Sequence, residues 1–280
     1  MDSENHAPHI LVQHDFRVIA SPLLPCRNNV HSQDGEDGII ERIFELVGNE
    51  NRFCVEFGAW DGVYFSNCCN LLTNKDWSGL FIEANANKFK ELQENYKDNS
   101  KVELINTYID MEGPNTLDAI LEKAGAPVNL DFLSIDVDGI DYFIWEGLTK
   151  HRPRVVVIEF NPTIPNDVEF VQHKSSSINQ GCSLLALINL ARTRGYELVC
   201  CTSWNAFFVT SDLFALTGVT NNHINAMYKP LCDGRIFHGF DGYIHTIGMP
   251  RLIWQNRHLD QDDFQVLPEE LRKFGDSQAQ

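Results

Sequence analysis

The sequence predicts an α/β fold built on a mostly parallel sheet that closes with an antiparallel hairpin. Short, solidly apolar runs alternate with helical stretches, the pattern of strands covered by helices on both faces. Five such strand–helix units follow one another from Phe53 to Ile158. The last two apolar runs, Tyr196 to Cys201 and Ala206 to Val209, are joined by residues 202–205 alone. That link is too short for a parallel crossover, so the pair must be a hairpin.

Residues 1–31 carry Pro8, Pro22 and Pro25 and read as irregular. A helix follows Ser32–Asp37, because Ile39, Ile40, Ile43, Phe44 and Val47 recur at helical spacing behind acids that favour a helix start. The strands are Phe53–Phe57, Gly79–Ile82, Val102–Ile109, Asp131–Ile135 and Val155–Ile158. Helices are expected over Asn67–Thr73, Lys88–Tyr96, Thr116–Lys123 and Asp141–Thr149. A long polar stretch, Asn161 to Gly181, precedes a helix over Leu184–Arg194 that Gly195 ends. Beyond residue 212 the pattern weakens, and the polar tail from Pro268 reads as frayed. With 280 residues, the chain suits one large domain over 32–211 with a C-terminal extension over 212–280.

Charge narrows the function. The chain has 22 basic against 39 acidic residues, a net charge of −17. It supplies no basic face for nucleic acid, and no apolar run approaches the length of a membrane span. Its first ten residues lack the build of a secretory signal. Eight cysteines, none in a C-x-x-C pair, read as buried reduced thiols rather than zinc ligands, which points to the cytoplasm.

The candidate residues sit at five strand ends, where open α/β sheets bind ligands. Glu56-Phe57-Gly58-Ala59-Trp60-Asp61-Gly62 ends the first strand. Its glycines allow a sharp turn and close ligand approach. Glu56 and Asp61 disfavour phosphate and suit a cation. Glu83 ends the second strand and is placed to accept both hydroxyls of a ribose. Asp110 follows the third strand and could meet an adenine amino group. Asp136-Val137-Asp138-Gly139-Ile140-Asp141 follows the fourth, and Glu159-Phe160-Asn161 ends the fifth. Adjacent parallel strands would bring Asp136 and Glu159 to one ion, with Asn161 on the same side, an oxygen set suited to Mg²⁺ or Mn²⁺. The competing readings are a metal-free anchor and plain helix capping by Asp138 or Asp141. His173 in the long loop is a candidate general base. Trp60, Trp145 and Trp204 read as packing residues.

On these residues the chain resembles class I S-adenosylmethionine-dependent methyltransferases, and more narrowly the FkbM-like group, over roughly residues 32–211. The resemblance implies a Rossmann-like fold with a seven-stranded sheet whose last strand is antiparallel. It implies S-adenosylmethionine over the first two strand ends, with Glu56, Gly58 and Gly62 near its methionine part and Glu83 on its ribose. The Ser32–Asp37 segment recurs in such sequences, which makes Gln33 a cofactor-pocket candidate, with helix capping the equal alternative. The expected reaction is O-methylation of a sugar or small natural product, a small-molecule or glycan acceptor. Asp136, Glu159 and Asn161 would hold a divalent metal, or else Asp138 or His173 would serve as base. The extension over 212–280 would add to the acceptor site or to contacts in a homo-oligomer. Two other classes stay open: a metal-dependent glycosyltransferase using Asp136 and Asp138 as a D-x-D site, and a non-catalytic scaffold.

Overall fold

The structure is a computed structural model that describes residues 21–230, 235–247, 251–252, 257–258 and 260–272. The expectations for residues 1–20, for Cys232 and for the last eight residues of the tail lie outside that range.

A first helix, α1 (Glu36–Val47), buries Ile39, Ile40, Ile43, Phe44 and Val47, the face its periodicity predicts. Five strands then alternate with helices: β1 (Phe53–Phe57), α2 (Cys69–Asn74), β2 (Ser78–Glu83), α3 (Ala86–Tyr96), β3 (Val102–Asn106), α4 (Leu117–Lys123), β4 (Phe132–Ile135), α5 (Asp141–Gly147) and β5 (Val155–Glu159). After a loop come α6 (Leu184–Thr193), β6 (Tyr196–Cys201) and β7 (Asn205–Thr210). The seven strands form one sheet in the order β3-β2-β1-β4-β5-β7-β6. All neighbours are parallel except those of β7, which runs antiparallel to both β5 and β6. This is the Rossmann-like sheet of class I methyltransferases that the resemblance implied. Its core is continuous, with β1, β4, β5 and β7 almost wholly inaccessible to solvent.

Several boundaries shift by a few residues, two of them for clear local reasons. β3 stops at Asn106 rather than Ile109, because Glu83↔Asn106 is the last pair that β2 can offer. The Asn106 amide then donates to the Glu83 carbonyl at 2.6 Å and closes the ladder. α5 ends at Gly147 instead of Thr149, because the Asp118 carboxylate accepts the backbone N–H groups of Thr149, Lys150 and His151 and pulls that stretch into a turn. Six described cysteines are buried and free, as the composition anticipated, and Cys26 is half-buried and free. Beyond α7 (Ile224–Met227), the described part of the extension holds two small antiparallel pairs, β8 (Arg235–His238) with β9 (Ile244–Ile247) and β10 (Arg251–Leu252) with β11 (Arg257–His258). Among the described residues, no helix is long and apolar enough to cross a membrane.

The order of strands reverses between β1 and β4, with β2 and β3 on one side and β5 on the other. Such a switch point opens a crevice beyond the carboxyl ends of the strands. The opposite end is tied shut by Asp131. Its buried carboxylate accepts from the backbone N–H groups of Glu50, Asn51 and Arg52 and from the Arg154 guanidinium at 2.7–2.9 Å. Asp131→Ala would strand those backbone donors and remove Arg154's buried partner, leaving it Glu50 at 3.5 Å and the Val47 and Gly48 carbonyls, so unfolding free energy should fall by about 3 kcal/mol. Urea denaturation of the variant checks this, and an unchanged midpoint would contradict it.

Candidate functional site

Parallel register brings four strand tips together. Phe57 of β1 pairs with Ile82 of β2 and with Ile135 of β4, and Ile135 pairs with Ile158 of β5. The next residue on each strand is therefore Gly58, Glu83, Asp136 or Glu159. All four line one cavity of about 540 Å³. Gly58 has φ +73°, and a Cβ there would run into the Asp136 carbonyl oxygen. Only glycine lets the two strand ends approach so closely.

Glu83 is buried and held from both sides. One carboxylate oxygen accepts the Trp60 N–H at 2.7 Å, and the other accepts the Asn85 N–H at 2.6 Å. Each carboxylate oxygen has about two acceptor sites, so a pair of vicinal hydroxyls can still donate to Glu83. Glu56, one turn of the pleat earlier, is instead committed to the protein. It accepts from the Ser66 hydroxyl and from the N–H groups of Asn67 and Cys68, and so ties down the segment leading into α2. Burial pushes its carboxyl up to about 7, against the lowering effect of those hydrogen bonds.

On the other half of the cavity, one carboxylate oxygen from each of Asp136, Asp138 and Glu159 lies within 4.8 Å of the others. Asp136 keeps a water-accessible face towards the cavity while protein surrounds it elsewhere. Burial first, then the charges of Asp141, Asp138, Glu56 and Glu36, push its carboxyl well above the usual range. Glu159 is raised likewise, by burial and then by Asp136, Asp141 and Asp138. Its Oε2 is buried with no hydrogen-bond partner. The turn carrying this trio is built by Asp141, which accepts the N–H groups of Val137 and Gly139, each at 2.8 Å. That turn holds Asp138 at φ +57°, a conformation that Asp tolerates better than most residues.

Five expected residues stand outside the cavity lining, each for a visible reason. The Asp61 carboxylate accepts the N–H groups of Val63 and Tyr64 and closes its own turn. Gly62 faces α3, where a Cβ would strike Leu92, and its carbonyl accepts the Tyr96 hydroxyl at 2.7 Å. Asp110 is exposed and pairs with Asn115; the cavity meets Thr107, Tyr108 and Ile109 just before it. Asn161 is buried with its amide on the Gln180 carbonyl, and its oxygen accepts from Thr163. Asp138 thus stands in the carboxylate group where Asn161 was expected. His173 is exposed, and its loop turns Ser176 and Ile178 to the cavity instead. Gln172 sets that geometry. Its buried amide donates to the carbonyls of Ser175 and Ile178 and accepts from the N–H groups of Gln180 and Gly181. Gln33, from the segment before α1, does line the cavity, while its neighbours tie that segment to the helix: the Asp37 carboxylate accepts the N–H groups of Val30, His31 and Ser32, and the Ser32 hydroxyl accepts the Asp37 N–H.

The sequence reading missed the aromatic rim. Trp60, Tyr64, Phe65 and Tyr108 line the cavity, and each is 44–60% exposed. Trp60 was expected to pack, as Trp145 does in the core. It is held outward at φ +53°, with Lys88 Nζ 4.6 Å from its ring centroid. Phe65 also has a positive φ, and backbone strain of this kind clusters at functional sites. A signal was present: three aromatics within six residues of a glycine-bounded turn, too short to form an apolar face. Among the described residues no Lys, Arg or His lines the cavity.

No family model matches this sequence, and no curated protein matches it. Solved structures of similar shape exist. The N-terminal domain of EvdMO1, crystallised with SAH bound, is 14% identical, with a TM-score of 0.42 over 64% of this chain and 80% of that one. An S-adenosylmethionine-dependent methyltransferase from Clostridium acetobutylicum is 10% identical, with a TM-score of 0.40 over 62% of this chain and 90% of that one. One from Aquifex aeolicus is 11% identical, with a TM-score of 0.37 over 60% and 86%. Likeness at this level transfers neither a substrate nor a site.

Proposed function

We propose that the protein is an S-adenosylmethionine-dependent methyltransferase of the FkbM-like kind, acting on a hydroxyl of a sugar or other small molecule. The observation that carries this reading is Glu83. Two backbone N–H groups aim it into the cavity beside Gly58, with acceptor capacity left for a ribose diol. The lining supports it, since a pyrophosphate-bearing sugar nucleotide would meet five carboxylates and no basic side chain. We keep a cytoplasmic setting as part of the proposal, consistent with buried free thiols.

When bound, S-adenosylmethionine supplies a methyl group already activated on a sulfonium. The chain's own residues would do the rest. Glu83 fixes the ribose, the Gly58 turn admits the donor, and Tyr64 and Phe65 shield the reacting centre from water. The acceptor hydroxyl would lie over Asp136, Asp138 and Glu159. One of the three carboxylates would take the acceptor hydroxyl's proton as its oxygen receives the methyl group that the bound donor would supply. A carboxyl held above its usual range is a better base than a free one.

A divalent cation also fits this trio. The donor set is hard oxygen, the three charges repel one another, and Glu159 Oε2 lacks a partner. Such an ion would lower the acceptor hydroxyl's pKa.

Three outcomes follow. Calorimetry should show S-adenosylmethionine binding, weakened at least about tenfold by Glu83→Gln, whose amide cannot accept from two backbone donors and a diol together. Binding of nucleotide sugars in its place would contradict the reading. Mg²⁺ or Mn²⁺ should raise the melting temperature of the wild type and leave Asp136→Asn unmoved. In a chelator, stability should fall as pH rises from about 4.5 to about 7. Glu56 has a folded value near 7 against 4.5 unfolded, so the unfolded chain gives up its proton first over that interval. The loss is on the order of 3 kcal/mol, and Asp136 and Glu159 add in the same direction. Urea titrations at pH 5 and 7.5 check the sign, and equal or greater stability at pH 7.5 would contradict it.

A further inference from the structure

We infer that residues 173–180 form a strap across the mouth of the cavity, latched by the Lys174–Glu112 ion pair, and that the nucleoside enters and leaves when this latch releases. The inference rests on reading the cavity as an S-adenosylmethionine site, and it adds the gate of that site.

The strap leaves one side of the sheet and is fastened on the other. It belongs to the loop after β5, whereas Glu112 lies beyond β3, and β2, β1 and β4 stand between those two strands. Interstrand spacings of about 4.8 Å put the ends of β3 and β5 roughly 19 Å apart. Even so, Lys174 Nζ meets Glu112 Oε1 at 2.7 Å. Ser176 and Ile178, just past Lys174, line the cavity, and so do Thr107, Tyr108 and Ile109, just before Glu112. The ion pair therefore joins two walls of the cavity.

The strap is firm at its neck and lightly held at its tip. Val171 bridges Cys182 in antiparallel fashion, the Gln172 N–H donates to the Gly181 carbonyl at 3.0 Å, and the Ser183 N–H donates to the Phe170 carbonyl at 2.8 Å. The buried Gln172 amide fixes the shape of the tip itself. The tip rests on Gly139, where a Cβ would come within 3.0 Å of the Ile178 carbonyl oxygen, so that turn offers no side chain to interlock with it. From His173 to Gln180 no residue is buried, and the half-buried Ile178 is the one apolar side chain. A segment that buries so little apolar area belongs to the part of a fold that opens most readily. The latch is itself exposed, with the Lys174 side chain at 45% and that of Glu112 at 81%. Such a pair favours the closed state by about fivefold at most. A firm neck with a lightly fastened tip is the build of a gate. It closes often enough to keep water from a reacting centre and releases often enough to exchange product for donor.

The test follows S-adenosylhomocysteine onto and off the full chain by stopped flow. Tryptophan fluorescence gives the signal, because Trp60 lines the cavity. This thioether carries no net charge at neutral pH, so long-range steering contributes little to its rates. Lys174→Glu should speed arrival and departure alike, each by about two- to fivefold, and leave the dissociation constant nearly unchanged, because a gate acts in both directions. Glu112→Lys should do the same. The double exchange should restore both rates, which marks a direct coupling between the two side chains. Unchanged rates in the single variants, a change in departure alone, or a double exchange that restores nothing overturns the gate while leaving the methyltransferase reading intact. Failure of calorimetry to detect any binding of the thioether to the wild type overturns that reading, and the gate with it.

Discussion

The contact between Gly58 and the Asp136 carbonyl is the constraint on which the site depends. It lies where the order of the parallel strands reverses, so β1 and β4 part there and their tips open into solvent. With no Cβ at Gly58, the two chains stay in register to their last residues. That register carries Glu83 to one side of the opening and Asp136 with Glu159 to the other. Any side chain at Gly58 would push the strand ends apart and separate the two halves. The glycine is therefore less a flexible point than a spacer of fixed, minimal size.

Gathering carboxylates in one cavity is unfavourable, and the fold handles each differently. Glu56 is neutralised in part by burial and held by Ser66 and two backbone N–H groups. Glu83 is satisfied by two others. Asp141 is turned away from the opening to shape the turn before its own helix. What remains is Asp136, Asp138 and Glu159, of which Asp136 and Glu159 are raised by burial first and then by neighbouring charge, with one Glu159 oxygen wholly unsatisfied. A chain under selection for stability alone would replace such a cluster with apolar residues. Its presence fits a site completed by a positively charged ligand.

Much of this was legible in the sequence because the signals were periodic or terminal. Apolar runs mark parallel strands. Where Val-Glu-Phe-Gly, Phe-Ile-Glu, Ser-Ile-Asp and Val-Ile-Glu close those runs, the polar residue must stand at the strand end. Adjacency of the strands then assembles the site. Residues that failed to reach the cavity lie beyond the sheet, where no periodicity governs direction. Asn161 comes two residues past the Glu159 strand end and would share its side only if the strand continued. The chain instead leaves the sheet, and Asn161 serves Gln180 and Thr163. His173 and Ser176 lie three residues apart on one loop. Which of them faces inward is decided by the four hydrogen bonds of Gln172, a long-range outcome that no local pattern reveals. The aromatic rim escaped for a related reason: left-handed φ values at Trp60 and Phe65 turn outward side chains that composition alone would place in a core.

The most direct measurement is a crystal structure of the chain grown with S-adenosylhomocysteine or sinefungin. The account predicts the nucleoside in the cavity above Gly58, with both ribose hydroxyls within hydrogen-bond distance of the Glu83 carboxylate. A nucleoside bound elsewhere, or one whose ribose leaves Glu83 untouched, would contradict it.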